Sequence, residues 1–184
     1  MKILVVYESS YGNTHLIASA VGEGLGEAPE VEVVPVAKAT RELVRQADLV
    51  VVGGPTHVHG MSREQTRRAA IDAAAKPGRS LRLDPDAEGA GLREWFHGLP
   101  PITTKAAAFD TRVDAAALIT GRASKGISRQ LRRHGLHEIA EPVSFLVTKE
   151  NHLVDGQLAA ARQWGKMLAS TMIELTAGTR GAAP

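Results

Sequence analysis

Residues 9–14 combine the side chains and the setting that bind a phosphate group. Hydroxyl side chains at positions 9, 10 and 14 flank Gly12, and a helical pattern begins directly afterwards. Short hydroxyl donors and the free amides of a helix N-terminus suit a phosphate dianion. The loop has no lysine, so it is not a Walker nucleotide site, and it suits a lone phosphate better than a triphosphate with magnesium. The candidate ligands are Ser9, Ser10, Tyr11, Gly12, Asn13 and Thr14.

A histidine pair, His57 and His59, follows another apolar run and could begin a metal site. Protein metal sites need three or four ligands, and no Asp, Glu or Cys lies near this pair in the sequence. We therefore predict that the protein has no metal site. The chain has no cysteine, which excludes disulfides, thiolate metal sites and cysteine nucleophiles.

The elements that position these residues alternate between strand and helix. Helical patterns separate five apolar runs, which predicts a parallel sheet covered by helices on both faces. At the carboxyl ends of such strands, loops from different parts of the chain come together. The predicted strands are Ile3–Tyr7, Val31–Val36, Leu49–Val52, Ala106–Phe109 and Val143–Val147.

Eight positions of the first strand, loop and helix resemble the signature of the flavodoxins: Val5, Val6, Tyr7, Ser9, Gly12, Thr14, Ala18 and Val21. The resemblance implies a flavodoxin-like three-layer α/β/α sandwich, with a five-stranded parallel sheet in the order 2-1-3-4-5 and FMN bound without a covalent bond. Receiver domains share this strand order, but they need paired acids after strand 1 and an aspartate after strand 3. Only Glu8 follows strand 1, and Gly53-Gly54 ends strand 3, so that interpretation fails.

Two further loops are assigned to the flavin by the same resemblance. The segment Pro55, Thr56, His57, Val58, His59, Gly60 looks like the Pro-Thr loop of flavodoxin-like quinone reductases, which lines the isoalloxazine ring. Where many flavodoxins place Trp or Tyr, this chain offers histidine and valine, so we expect modest FMN affinity. After the fourth strand, Asp110, Thr111 and Arg112 are the candidates for the pyrimidine edge, with Arg112 near the flavin N1.

Two other segments have alternative interpretations. Arg122, Lys125, Arg129, Arg132 and Arg133 fall on one side of a predicted helix, either as a solvated face or as a docking surface for an acidic redox protein or for NAD(P)H phosphates. The insertion 76–101, between the third helix and the fourth strand, contains Trp95 and Phe96. These aromatic residues could pack locally, wall a substrate pocket or form a subunit interface. We expect one domain over residues 1–175 and a flexible tail over 176–184.

Composition restricts the class of protein further. The formal charge is +2 over 184 residues, well below the basic excess of most nucleic-acid-binding domains. The sequence shows no signal peptide and no apolar run of about 20 residues, the length that spans a bilayer. We therefore expect a cytoplasmic protein that acts on a small-molecule acceptor or a redox partner protein, and that could form homo-oligomers.

Three functions fit this sequence. The first is an NAD(P)H-dependent FMN oxidoreductase that reduces quinones or similar acceptors by two electrons, favoured by the Pro-Thr loop, the basic balance and the insertion. The second is a one-electron carrier, favoured by the complete flavodoxin signature and the compact size. The third is a flavin-free binding or regulatory module, which the weak stacking residues allow.

Overall fold

A computed structural model describes residues 1–26, 30–76 and 81–181, with side chains up to residue 178. One sheet contains the main strands in the parallel order β2-β1-β3-β5-β7, which confirms the predicted order 2-1-3-4-5. Two short strands are additional, β4 antiparallel to β3 and β6 beside the start of β5. The strands are β1 (Lys2–Tyr7), β2 (Glu30–Pro35), β3 (Leu49–His57), β4 (Gly60–Met61), β5 (Lys105–Val113), β6 (His137–Glu138) and β7 (Val143–Val147).

Helices follow most of the main strands, as the alternating pattern predicts. They are α1 (Asn13–Leu25), α2 (Arg41–Gln46), α3 (Glu64–Ala74), α4 (Leu92–Gly98), α5 (Ala117–Thr120), α6 (Ala123–Arg133) and α7 (Gln157–Gly181), with a 3-10 turn at Val36–Lys38. Thr40 caps α2 by accepting a hydrogen bond from the Leu43 amide, as residues of this type do at a helix start. None of the described helices is long and apolar enough to cross a membrane.

The core has two halves because successive strand side chains point to opposite faces of the sheet. On one face Ile3, Val5 and Val51 pack under α1 and α7. On the other, Leu4 and Val52 belong to a cluster that includes side chains of α2, α4 and α6. Helices therefore cover both faces, which confirms the predicted three-layer architecture.

Strand β5 is longer than predicted, and this is a correction that affects the candidate site. It continues through Val113, so Asp110, Thr111 and Arg112 lie in the strand rather than in the loop after it. The neighbouring strands explain the extension, since β3 pairs with β5 up to Thr111 and β7 pairs with it up to Val113. Alternation along the strand then places Thr111 on one face and Asp110 and Arg112 on the other.

The described part of the insertion packs locally against the core. Phe96 of α4 is buried in the cluster on that face, and the Trp95 indole donates a hydrogen bond to the Ala39 carbonyl at 2.7 Å. These contacts account for both aromatic side chains without a partner subunit. Residues 77–80 lie outside the described part of the chain.

Helices α1 and α7 approach each other closely at two glycines. A Cβ atom on Gly165 would overlap the Val21 carbonyl oxygen, and one on Gly24 would overlap the Arg162 carbonyl oxygen. Helix α7 continues through Gly181, so residues 176–181, assigned by the sequence to a tail, are helical. Residues 182–184 of the expected tail lie outside the described residues.

Candidate functional site

The loop between β1 and α1 forms a tight turn at the carboxyl edge of the sheet. Gly12 has φ 91°, a left-handed conformation that glycine adopts without steric cost, and its amide donates to the Ser9 hydroxyl at 3.0 Å. The Gly12 carbonyl accepts from the Leu16 amide, so the turn leads directly into α1. Hydroxyl side chains and the start of a helix thus meet at one place, as the sequence predicts.

Side-chain contacts fasten this loop to the neighbouring strand ends. The Thr14 and Thr111 hydroxyls lie 2.7 Å apart, and the Asn13 amide donates to the backbone carbonyl and the side-chain oxygen of Asn151. Asn151 lies in the turn after β7 and itself has φ 67°. Residues in or directly after β1, β5 and β7, the first, fourth and fifth predicted strands, therefore lie in one small region.

A cavity of about 230 Å³ opens between these strand ends. Most of the predicted site residues line it, and so do three residues that the sequence reasoning missed, Val113, Val147 and Asn151. Their one sequence signal is their position at or after the carboxyl end of a strand. The lining is Ser9, Ser10, Tyr11, Asn13, Thr14, Pro55, Thr56, His57, Thr111, Arg112, Val113, Val147 and Asn151.

Asp110 does not line the cavity, which corrects its assignment to the flavin edge. Its side chain is fully buried, and one carboxylate oxygen accepts from the Ser124 amide at 2.7 Å. A carboxylate in this position stabilises the N-terminus of α6. Thr56 acts at the same helix end, because its hydroxyl accepts from the Ala123 amide.

The predicted loop 55–60 is a hairpin whose tip does not line the cavity. His57 and Gly60 pair across it, leaving Val58 and His59 as the two turn residues. Both have positive φ, 43° and 67°, as a type I′ turn requires. Gly12, Val58, His59 and Gly60 are therefore predicted site residues that the structure places beside the cavity rather than in its wall.

Two lining residues carry a buried nitrogen without a hydrogen-bond partner, His57 at Nε2 and Arg112 at Nε. Burial lowers the pKa of His57, and it outweighs the Glu8 carboxylate, which acts in the opposite direction. Arg112 Nη1 is bonded elsewhere, to the Ala115 carbonyl at 2.6 Å. Buried donors are normally paired, so these two nitrogens indicate a wall prepared for a polar ligand.

A buried network that the sequence reasoning missed begins at Glu8, the residue directly before Ser9 of the cavity lining. Glu8, at the end of β1, accepts hydrogen bonds from the Ser62 hydroxyl and the Leu92 amide. Arg67 lies beside Ser62 and pairs with Glu94 at 3.1 Å. The network connects β1 to α3 and α4, whose residues are too far apart in sequence for spacing to reveal it.

The basic side of α6 borders a different and larger feature. An open groove of about 790 Å³ runs between this helix and the sheet edge at β6. Lys125 and Arg129 lie on its wall, while Arg132 is paired with Glu138 at 2.6 Å. β6 pairs with the start of β5, so this groove begins at the end of the sheet opposite the small cavity.

Comparisons with known proteins bear on the family and the fold of the chain. Residues 4–67 match the family model described as a flavodoxin domain. Over 34 residues the chain is 59% identical to an NAD(P)H dehydrogenase (quinone) of Syntrophus aciditrophicus (strain SB), covering 18% of this chain and 17% of that protein. Over 68 residues it is 40% identical to a flavodoxin of Aquifex aeolicus (strain VF5), covering 36% and 37% respectively.

These matches span less than two fifths of either curated relative. The similarity in fold extends over much more of the chain than the similarity in sequence. The structure of a flavodoxin from the domain Archaea superimposes with a TM-score of 0.65 at 21% identity, covering 94% of this chain and 99% of that one. The signature loop lies inside the region that matches the flavodoxin domain model, and the chain shares the flavodoxin fold over nearly its whole length.

Proposed function

We propose that the protein binds FMN at the small cavity and uses it for two-electron, NAD(P)H-dependent reduction of quinone-like or other small acceptors. The observation that carries the proposal is that one cavity is lined both by a phosphate-type loop and by two residues with a buried, unpartnered nitrogen, His57 and Arg112. A cofactor with a phosphate at one end and polar ring edges at the other matches both features. The donor set therefore fits FMN.

The cavity is smaller than the 300–1,000 Å³ typical of ligand pockets, since it measures about 230 Å³. We propose that it holds the phosphate end, with Ser9 and Thr14 as hydroxyl donors and the start of α1 supplying amides. The hairpin 55–60 then lies beside the ring. No Trp or Tyr stands in that hairpin, which supports our expectation of modest FMN affinity.

When bound, FMN supplies the hydride-transfer chemistry, and the protein supplies binding, orientation and electrostatics. Arg112 places a positive charge at the cavity, where it offsets negative charge on a reduced cofactor. His57, with its lowered pKa, presents a neutral imidazole near pH 7, able to donate at one nitrogen and accept at the other. The name of the Syntrophus relative supports NAD(P)H as donor and a quinone as acceptor.

A second candidate is a one-electron carrier, favoured by the longer match to the Aquifex flavodoxin. The two functions differ in one measurement. An oxidoreductase, loaded with FMN, oxidises NAD(P)H in the presence of a quinone without any other protein. A carrier shows no such turnover but exchanges electrons with a reductase that is added separately.

The FMN site itself is tested by a double variant, Ser9→Ala with Thr14→Ala. Losing two hydrogen bonds to a charged group should weaken FMN binding by about 2 kcal/mol or more, roughly thirtyfold, in a fluorescence titration. Thr171→Ala on α7 is the matched control and should bind FMN as the wild type does. Riboflavin, which has no phosphate, should bind the wild type and the double variant with equal affinity.

Equal FMN affinity in the double variant would contradict the assignment of the phosphate to this loop. Urea unfolding of each variant without flavin checks that the substitutions leave the fold intact, because the Thr14 hydroxyl also contacts Thr111. A wild-type protein that binds neither FMN nor riboflavin would support a flavin-free module instead.

A further inference from the structure

Beside the phosphate-type loop, three potential metal ligands come together from distant parts of the sequence. His15 belongs to the first turn of α1, while Asp84 and Asp86 lie in the insertion. One ligand atom from each of these residues lies within 4.8 Å of the other two. Ligands bound at about 2.1 Å to one metal ion lie within about 4.2 Å of one another, so these side chains come close to the spacing that one ion needs.

Neighbouring groups hold the three side chains in place. The His15 ring stacks on Tyr7 with a centroid distance of 4.4 Å, and the Tyr7 hydroxyl donates to an Asp86 carboxylate oxygen at 2.9 Å. The Asp86 amide donates to one oxygen of Asp84, whose other oxygen lies 3.1 Å from His15 Nδ1. Metal sites typically show such supporting contacts, which orient the ligands before the ion binds.

The charges of the cluster are unbalanced. The Asp84 side chain is 1% exposed, and its single ion-pair partner among the described residues is His15, which is charged only when protonated. No lysine or arginine in the described part of the chain lies within 4.0 Å of either aspartate. A buried carboxylate without a strong counter-charge is costly, and a divalent cation would remove that cost.

We propose that His15, Asp84 and Asp86 bind one divalent transition-metal ion, with water completing the coordination. One imidazole nitrogen with two carboxylate oxygens suits Zn²⁺ or Mn²⁺ better than Ca²⁺ or Mg²⁺, which prefer oxygen ligands throughout. The ion joins α1 to the insertion, whose Asp84 amide already donates to the Ser10 carbonyl at 2.9 Å. Metal binding therefore fastens the insertion over the phosphate-type loop, and it does not depend on the proposed flavin chemistry.

The test is isothermal titration of Zn²⁺ into the full chain, first stripped with EDTA and kept free of flavin. We expect one strong site in the wild type and at least about tenfold weaker binding in Asp86→Asn and in His15→Gln. Asp86→Asn keeps an oxygen that can accept from Tyr7, so the fold should be retained, as circular dichroism would show. Glu88→Gln, an exposed acid of the same insertion, should bind as the wild type does.

His59→Gln is the control for zinc binding by histidines outside the cluster, and it should leave the strong site unchanged. A second readout is thermal unfolding, where Zn²⁺ should raise the midpoint of the wild type and not that of Asp86→Asn. The proposal is overturned if the wild type shows no saturable site. It is equally overturned if Asp86→Asn and His15→Gln bind as tightly as the wild type, or if His59→Gln removes the site.

Discussion

At the hairpin beside the cavity, two residues hold a backbone conformation that their side chains disfavour. Val58 and His59 both have positive φ, and Val58 is 83% exposed, so no burial compensates for its conformation. Left-handed backbone costs about 1–2 kcal/mol for most residues and is a genuine outlier for a β-branched one. Strained turns of this kind concentrate at ligand sites, which agrees with the position of the hairpin.

Val58→Asn should therefore stabilise the flavin-free protein, by about 1 kcal/mol, because asparagine tolerates the left-handed region of a type I′ turn. Urea unfolding measures the difference. Ile119→Asn is the control, since Ile119 is also exposed and apolar but has no positive φ, and it should change the free energy of unfolding by less than about 0.5 kcal/mol. An unchanged or lower stability for Val58→Asn would show that the turn is not strained in solution.

At the scale of helices and strands, the contact between α1 and α7 leaves little room for substitution. Gly165 lies with its backbone against the Val21 carbonyl, leaving no space for a methyl group. By contrast, Gly178 on the same helix has no neighbouring atom within 4 Å of the position that an added methyl group would take. The same substitution should consequently have opposite effects at the two positions.

Gly165→Ala should lower the free energy of unfolding by about 2 kcal/mol or more, because two helix backbones must separate to admit the methyl group. Gly178→Ala should raise it by up to about 1 kcal/mol, the helix propensity difference. Chemical denaturation of both variants, compared with the wild type, measures these changes. Similar effects of the two substitutions would contradict the close packing of α1 on α7.

Much of this architecture could be predicted because it depends on local patterns. The apolar runs predict the five main strands, and Thr40 predicts the start of α2. Strand β5 was harder, since Asp-Thr-Arg has the composition of a loop, and only the ladders of β3 and β7 extend it. The Glu8 network and the cluster at His15 join residues far apart in sequence, so no local spacing could reveal them.

Across the whole molecule, stability should depend on pH through the half-buried imidazole of His57 at the cavity. Burial lowers the pKa of His57 below the ordinary value near 6.5. At a pH between the lowered pKa of the folded chain and the ordinary pKa of the unfolded chain, the unfolded chain binds a proton at His57 and the folded chain does not. The free energy of unfolding should therefore fall as the pH decreases from about 7 through this window.

His57→Asn should reduce this loss of stability at low pH, because the asparagine side chain does not bind a proton in this range. Urea unfolding at pH 7.5 and at pH 5.5, for the wild type and the variant, gives two differences to compare. The six other histidines are present in both proteins, so the comparison isolates the contribution of residue 57. A variant that loses as much stability as the wild type would mean that His57 is readily protonated in the folded protein.

The packing of α7 on α1 also has a consequence for synthesis on the ribosome. Leu25, which ends α1, and Gln157, which begins α7, are separated by more than 130 residues of chain. The ribosome adds about 5–20 residues per second, so roughly 7–26 s pass between the synthesis of α1 and that of α7, which covers it. Throughout that interval Ile17 and Val21, buried in the finished protein, have no α7 to pack against. During this interval the apolar face of α1 can take part in aggregation, and chaperones that bind apolar helices can act on it.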